Sequence, residues 1–209
     1  MKNPWEEIDL ADYENHMRLD SVYQLQTLNE MMKEQFSAYD TKTVMILGIA
    51  GGNGLEHIDR AKYHRVYGVD INQDYLRECQ MRYPALKDCF TPVCTDLTNH
   101  HAPLPQAELL VANLLVEYIG YECFQTVVQK VQPRFISCII QINTAASFVS
   151  NSPYLHAFDR LIEVHHQMEE KELTHVLRQI GYSQMGIQVR HLPNEKQLVR
   201  IDYEVNPVD

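Results

Sequence analysis

The sequence predicts a doubly wound α/β fold built on a mostly parallel sheet. Between residues 43 and 142, five short apolar runs rich in β-branched residues alternate with helical patterns. Runs of this length with nearly continuous apolar side chains are typical of parallel strands buried on both faces. The chain then continues into two alternating runs joined by a short turn, which is typical of an antiparallel hairpin. A mostly parallel seven-stranded sheet with an antiparallel C-terminal hairpin is therefore expected.

The composition excludes several classes of partner. The 209 residues include 45% hydrophobic and 22% charged residues, and their formal net charge is −10. This length accommodates one well-buried domain with a short appendage. The acidic balance repels polyphosphates and anionic surfaces, so neither a nucleic acid nor a membrane is an expected partner. The sequence has neither an apolar run of about 20 residues nor an apolar signal segment, so we expect a cytoplasmic protein.

Residues 1–40 form the expected appendage, an N-terminal helical lid or brace. They contain no glycine, and a short helix is expected near residues 8–17. A second helix is expected after Ser21, which would be its N-cap with Gln24 as the capping-box partner. The apolar surface of this segment is too small for an independent core. Residues 41–209 are therefore expected to form the main domain.

The elements of the main domain follow from the apolar runs and the capping residues. The five parallel strands are expected at residues 43–47, 65–69, 90–94, 108–112 and 135–142. The C-terminal hairpin is expected to pair residues 182–190 with 197–205. The helices between these strands are expected at residues 73–83 with Asn72 as N-cap, at 121–131, and at 169–180 before Gly181.

Cysteine and histidine spacing predicts neither a disulfide framework nor a metal site. The five cysteines are an odd number, and no two of them form a C-x-x-C pair, so they are expected to be core thiols. The pairs His100–His101 and His165–His166 are adjacent residues. Adjacent side chains on a helix or strand point in different directions and rarely chelate one ion together.

The ligand site is expected at the carboxyl ends of the strands, where the strand order of a doubly wound sheet reverses. The first strand runs into a loop with four glycines within seven residues, from Gly48 to Gly54. Glycines let the backbone turn sharply and let a ligand approach without interference from a Cβ atom. Asp70 ends the second strand, where a carboxylate can accept hydrogen bonds from both ribose hydroxyls of an adenosine. Its alternative role, capping the next helix, is better filled by Asn72.

The glycine register distinguishes two kinds of nucleotide site. The dinucleotide fingerprint requires glycines at i, i+2 and i+5, and no starting position in this loop satisfies it. Small residues instead occupy every other position, at Gly48, Ala50, Gly52 and Gly54. This pattern resembles the first motif of class I S-adenosylmethionine-dependent methyltransferases. An NAD-dependent oxidoreductase is the weaker alternative.

The resemblance extends from about Thr43 to the C-terminus and implies a Rossmann-like methyltransferase domain that binds S-adenosylmethionine. It implies that Asp70 binds the ribose and that Asp96 lies beside the adenine amino group. It also implies that the loop after the fourth strand lines the methionine moiety and the substrate entrance. The cofactor-binding residues expected on this basis are Gly48, Ala50, Gly52, Gly54, Asp70, Ile71, Asp96, Leu97, Asn113 and Leu114.

Two positions depart from the family pattern. Ile46 stands where the family commonly carries an acidic residue that contacts the amino end of the ligand, and Ala50 replaces a usual glycine. Alanine is the smallest substitution, so the loop is still expected to form. These departures leave open a second hypothesis, a module that binds S-adenosylmethionine without turnover.

The methyl acceptor is expected to be a small molecule, with a protein side chain as the second possibility. Methyl transfer from a sulfonium is an in-line displacement in which alignment and desolvation supply most of the acceleration, so a general base is optional. Family members that methylate planar amino groups often carry Pro-Pro and an aromatic residue after Asn or Asp, whereas Leu114 follows Asn113 here. The candidates for acceptor contact or for a base are Tyr13, His16, Glu117, Tyr118 and His156.

Overall fold

The computed structural model describes residues 2–143 and 148–207, which contain a seven-stranded sheet with helices on both faces. The strands are β1 (Thr43–Leu47), β2 (Arg65–Asp70), β3 (Phe90–Cys94), β4 (Leu109–Asn113), β5 (Phe135–Ile142), β6 (Tyr182–His191) and β7 (Gln197–Val205). Their order is β3-β2-β1-β4-β5-β7-β6. Strands β1 to β5 pair in parallel, and β7 is antiparallel to both β5 and β6. The predicted sheet and hairpin are confirmed.

The central strands are apolar because helices cover both faces of the sheet. Alternate side chains of a strand point to opposite faces. Met45 and Leu110 pack into the core cluster on one face, whereas Val44, Ile46 and Leu109 pack into the cluster on the other. All five side chains are at most 2% exposed. Their burial on both sides explains why β1 and β4 are continuous apolar runs in the sequence.

Five α-helices lie in the described ranges: α1 (Leu10–Arg18), α2 (Gln24–Ala38), α3 (Gln73–Arg82), α4 (Val116–Val131) and α5 (Glu170–Gln179). A 3₁₀ segment, Leu155–Glu163, lies between β5 and α5. As predicted, the Asn72 side chain caps α3, where its Oδ1 accepts from the backbone N–H of Asp74 at 3.0 Å. Asp9 caps α1 in the same way.

Two predicted helix starts are wrong. Ser21 is not the N-cap of α2, because the backbone N–H groups of Val22 and Tyr23 bond to Leu19 O and form a turn there. Helix α4 begins at residue 116 instead of 121, and a kink at Gly120, with φ 75° and ψ 166°, separates its first turn from the rest. This first turn carries two of the candidate site residues.

The two N-terminal helices pack differently. Side chains of α2, including Met32 and Phe36, belong to the core cluster on one face of the sheet. Helix α1 instead contacts α2 and the 3₁₀ segment. Helix α2 is thus part of the core against the sheet, and the domain boundary expected at residue 40 stays a prediction.

The cysteines largely follow expectation. Cys79, Cys89, Cys123 and Cys138 are buried thiols, but Cys94 is exposed because it ends β3, the strand at the edge of the sheet. Within residues 2–143 and 148–207, no three His, Cys, Asp or Glu side chains are grouped so as to hold a metal ion. The helices of these same residues include none with the length and apolarity needed to cross a membrane.

Candidate active site

The glycine-rich loop after β1 turns on residues in the left-handed region. Gly48, Gly52 and Gly54 have φ values of 63°, 85° and 91°, and Ala50 has a φ of 48°. A Cβ atom on Gly54 would lie 2.8 Å from Met32 Sδ, which is too close without movement of the methionine. Backbone conformation and tight packing therefore require glycine at these places.

Ala50 provides a test of this backbone strain. An alanine in the left-handed region is strained by about 1–2 kcal/mol. Glycine avoids this strain, but it loses more backbone entropy on folding, which destabilises the folded state by about 0.5–1 kcal/mol. Ala50→Gly is therefore expected to raise the free energy of unfolding by up to about 1 kcal/mol, measured by urea denaturation. Ala11→Gly, at an exposed position in right-handed α1, is the matched control and should lower it. A less stable Ala50→Gly protein would contradict this account.

Asp70 connects this loop to the start of α3. Its Oδ2 accepts from the backbone N–H of Ala50 at 2.9 Å, and its Oδ1 accepts from that of Asn72 at 2.9 Å. The side chain is 8% exposed, and burial raises the pKa of its carboxyl while the backbone donors act in the opposite direction. The backbone N–H of Ile71 also acts on this carboxylate, which has about four lone-pair sites and so keeps accepting capacity for a ligand.

A first cavity lies at the carboxyl ends of β1 to β4, and its empty space, including the part open to solvent, is about 680 Å³. Tyr13 and Tyr118 line it. Gly52 and Gly54, which were also predicted to bind the cofactor, do not line this cavity and lie against neighbouring side chains. The other predicted cofactor-binding residues all line the cavity: Gly48, Ala50, Asp70, Ile71, Asp96, Leu97, Asn113 and Leu114.

Sequence reasoning missed several residues that line the first cavity. Trp5 is the most prominent, and its ring packs edge-on against Tyr13 at 5.6 Å and against Tyr118 at 4.9 Å between centroids. It is the only tryptophan of the chain and precedes the lid helix, a signal that was available in the sequence. The others missed are Asn3, Tyr75, Thr95, Thr98, Leu115 and Ile119.

A second cavity of about 520 Å³ adjoins the first. The two cavities share Trp5, Tyr13, Leu114 and Tyr118 as common walls. Helix α1 and the 3₁₀ segment both contribute residues to its lining. Its remaining lining residues are His16, Met17, Gln24, Glu117, Gln141, Phe148, Val149, Phe158, Leu161 and His165.

Glu117 brings a buried carboxyl group into the second cavity. The side chain is 3% exposed, and its Oε1 accepts from the backbone N–H of Gln141 at 2.7 Å. Its Oε2 is equally buried and has no hydrogen-bond partner among the residues that the structure describes. Burial raises the pKa of Glu117 to about 7, although the Gln141 N–H lowers it. The group is thus poised to exchange a proton near neutral pH.

Comparison with known proteins identifies the fold. No protein-family model and no curated protein sequence matches the chain. Its structure resembles the magnesium protoporphyrin IX methyltransferase ChlM of Synechocystis PCC 6803 with bound SAM, with 12% identity and a TM-score of 0.61 over 91% of this chain and 82% of that chain. An S-adenosylmethionine-dependent methyltransferase of Mesorhizobium loti gives 13% identity and a TM-score of 0.63 over 86% and 99%. The chain has the class I methyltransferase fold.

The same methyltransferase fold occurs in a protein named for another reaction. The cyclase SpnF matches with 12% identity and a TM-score of 0.63, over 88% of this chain and 82% of that chain. Reaction type therefore has to be argued from the site.

Hydrogen bonds and ion pairs connect the N-terminal segment to two elements of the main domain. On one side, the Asn72 side chain donates to Trp5 O at 3.1 Å, and Arg82 pairs with Glu14 of α1. On the other side, Arg160 of the 3₁₀ segment pairs with Glu7. These contacts join α3 and the 3₁₀ segment through the lid, whose residues Trp5 and Tyr13 line both cavities.

Hydrogen bonds with helix α2 fix the orientation of the Asn113 side chain. Its side-chain amide exchanges two hydrogen bonds with Gln35 of α2, at 3.0 Å and 2.9 Å. Gln35 is fully buried and also donates to Ser137 Oγ at 2.9 Å. Helix α2 therefore positions a predicted cofactor-binding residue at the end of β4.

The candidate histidines differ from one another. His16 lines the second cavity with its Nδ1 2.8 Å from Ser152 Oγ, and burial, together with Lys196, lowers its pKa to about 4. His165 stacks on Phe148 in the same cavity, and burial lowers its pKa as well. His156 has a side chain that is 95% exposed and lies outside both cavities, so the structure does not bring it to the site.

Proposed function

We propose that this protein transfers a methyl group from S-adenosylmethionine to a small-molecule acceptor. S-adenosylmethionine would occupy the first cavity and the acceptor the second. The observation that carries the proposal is their meeting at Trp5, Tyr13, Leu114 and Tyr118, with Asp70 on one side and the buried Glu117 carboxyl on the other. A junction of this kind holds two reactants in line for direct displacement.

The residues of the first cavity fit an adenosine. The backbone at Gly48 and Ala50 offers a surface that a ligand can approach closely. Asp70 has lone pairs available for the ribose hydroxyls, and Asp96 and Leu97 follow β3, where the adenine would lie. When bound, S-adenosylmethionine supplies an electrophilic methyl group, and the protein aligns it and excludes water.

The missing acidic residue at position 46 has substitutes nearby. Ile46 is buried, and it lines a small side cavity together with Glu14 of the lid and Asn113. We propose that these two polar side chains serve the amino end of the ligand. The Glu14 carboxylate is already ordered by its ion pair with Arg82, so no further reorganisation is required.

Three aromatic rings at the junction support transfer from a cationic donor. Trp5, Tyr13 and Tyr118 surround the place where the two cavities meet. Aromatic rings attract cations such as a sulfonium, and they exclude water that would compete with the acceptor. Burial raises the pKa values of Tyr13 and Tyr118, so both phenols stay neutral and add no charge of their own.

The lid favours a small acceptor over a protein side chain. Trp5 and Tyr13 of the lid line the second cavity, and contacts of Trp5, Glu7 and Glu14 with the main domain hold the lid in place. A protein substrate would have to displace these contacts over a wide area. A binding module without turnover is the second hypothesis, favoured only by Ile46 and Ala50.

Calorimetric titration with S-adenosylmethionine, S-adenosylhomocysteine and NAD tests the proposal. The first two are expected to bind in the micromolar range, and NAD is expected to give no heat. Binding of NAD alone, or of none of the three, would overturn the proposed cofactor. Incubation with methyl-labelled S-adenosylmethionine and a small-molecule extract then separates an enzyme from a binding module, because only an enzyme moves the label to an acceptor.

A further inference from the structure

The unpartnered oxygen of Glu117 indicates what a ligand must bring to the second cavity. Glu117 Oε2 is buried and has no hydrogen-bond donor within the described ranges, while Oε1 is satisfied by the Gln141 N–H. Buried polar atoms in folded proteins are nearly always paired, and an unpaired one is costly. A ligand that places a donor at Oε2 would remove this cost.

The walls of the second cavity indicate the rest of the ligand. Nine of its fourteen lining residues are apolar or aromatic, and they include the rings of Trp5, Tyr118, Phe148 and Phe158 and the side chain of Leu161. Such a surface suits a compact body that is largely apolar and of aromatic size, and a few polar groups then fix the orientation.

The charges around the second cavity favour a neutral ligand. Lys196 is 3% exposed, and its Nζ donates to the backbone carbonyl of Phe148, a residue that lines the cavity. Burial lowers the pKa values of His16 and His165, which also line the cavity, and Lys196 makes a smaller contribution in the same direction. An environment that keeps two imidazoles neutral also disfavours a cationic ligand. An anionic ligand would be repelled by the Glu117 carboxylate.

Resting on the proposed methyl transfer, we infer that the second cavity takes a small, neutral, mostly apolar acceptor with a hydroxyl group that donates its hydrogen bond to Glu117 Oε2. As the hydroxyl oxygen forms its bond to the methyl carbon, the carbon–sulfur bond breaks and its electron pair stays on sulfur. The hydroxyl proton passes to Glu117 Oε2. The products are a methyl ether, S-adenosylhomocysteine and a protonated Glu117, so atoms and charge balance.

The test uses three probes of one shape, with S-adenosylhomocysteine present to fill the first cavity. 2-Naphthol carries the hydroxyl donor, 2-methoxynaphthalene lacks it, and 2-naphthylmethylamine is a cation at neutral pH. By ligand-observed NMR or calorimetry, the wild-type protein is expected to bind 2-naphthol about tenfold more tightly than either of the others. Glu117→Gln places an amide donor at the Oε2 position, so its preference for 2-naphthol over the ether should nearly disappear.

Glu122→Gln is the matched control, because Glu122 is an exposed carboxylate on the same helix and should leave the preference unchanged. Unchanged affinity of Glu117→Gln for S-adenosylhomocysteine would show that the variant is folded. Equal binding of 2-naphthol and its ether by the wild-type protein, tighter binding of the amine, or no binding of any probe would overturn the inference. Failure to bind S-adenosylhomocysteine would instead contradict the proposed function.

Discussion

Replacement of Asp70 by alanine is expected to weaken S-adenosylhomocysteine binding by about 1 to 3 kcal/mol, roughly five- to 150-fold. The variant loses the carboxylate proposed to accept from the ribose hydroxyls. It also frees the backbone N–H groups of Ala50 and Asn72, which Asp70 holds at 2.9 Å each. Both losses weaken binding of the same ligand, because these contacts shape the loop that lines the first cavity. Calorimetric titration measures the affinity directly.

The control for this variant is Asp74→Ala. Asp74 is a largely exposed carboxylate in the first turn of α3, where it pairs with Arg77. Its removal changes the net charge by the same amount, but it does not line the first cavity. We expect its affinity for S-adenosylhomocysteine to equal that of the wild-type protein. An Asp70→Ala protein that is folded and binds as tightly as this control would remove Asp70 from the proposed site.

Glu117→Gln is expected to change the pH dependence of stability strongly, because the carboxyl group that it removes is buried. Burial raises the pKa of Glu117 from 4.5 to about 7, so the folded protein binds this proton more tightly than the unfolded chain does. The stability linked to this proton is fully present below pH 4.5 and is lost as the pH rises to 7 and above. The loss amounts to about 3 kcal/mol, since one pKa unit corresponds to about 1.4 kcal/mol.

Glutamine does not titrate, so the Glu117→Gln protein does not lose this stability as the pH rises. The difference in free energy of unfolding between Glu117→Gln and the wild-type protein should therefore rise by about 3 kcal/mol from pH 4.5 to pH 8. The neighbouring phenols of Tyr13 and Tyr118 stay neutral across this range, and His16, with a pKa of about 4, stays mostly neutral. Lys196, whose pKa burial lowers to about 8, is present in both proteins.

Urea denaturation at several pH values measures this difference, with Glu122→Gln as a control that should give a nearly flat profile. A flat profile for Glu117→Gln would mean that the Glu117 carboxyl is solvated or paired in solution. The expected gain in stability accompanies a loss of the proposed proton acceptor, as is common where a functional site keeps an unfavourable buried group.

The sequence predictions were most accurate for features that depend on adjacent residues. The capping of α3 by Asn72 and the strand at residues 43–47 were predicted correctly, because they depend on adjacent residues. The start of α2 after Ser21 was predicted wrongly. The backbone N–H groups of Val22 and Tyr23 donate to Leu19 O, so this segment forms a turn and not a helix cap. The first turn of α4 was missed because Gly120 follows it and resembles a helix boundary.

The sequence by itself determined the fold class and the place of the first cavity. Periodicity identifies buried strands, and in a parallel sheet the ends of β1 to β4 must lie together at one edge. Sequence pattern alone therefore predicts that residues as far apart as Gly48 and Asn113 meet at that edge. The alternating small residues of the glycine-rich loop also predict a backbone that a ligand can approach closely.

Only the tertiary structure decided which of the acceptor candidates share a cavity. His16 meets Ser152 across more than half of the chain, and the buried Glu117 shares its cavity with residues of the lid and of the 3₁₀ segment. His156 resembles the other candidates in the sequence but is exposed. Burial, the raised pKa of Glu117 and its unpartnered oxygen are created by the packing of distant segments, which local sequence patterns do not encode.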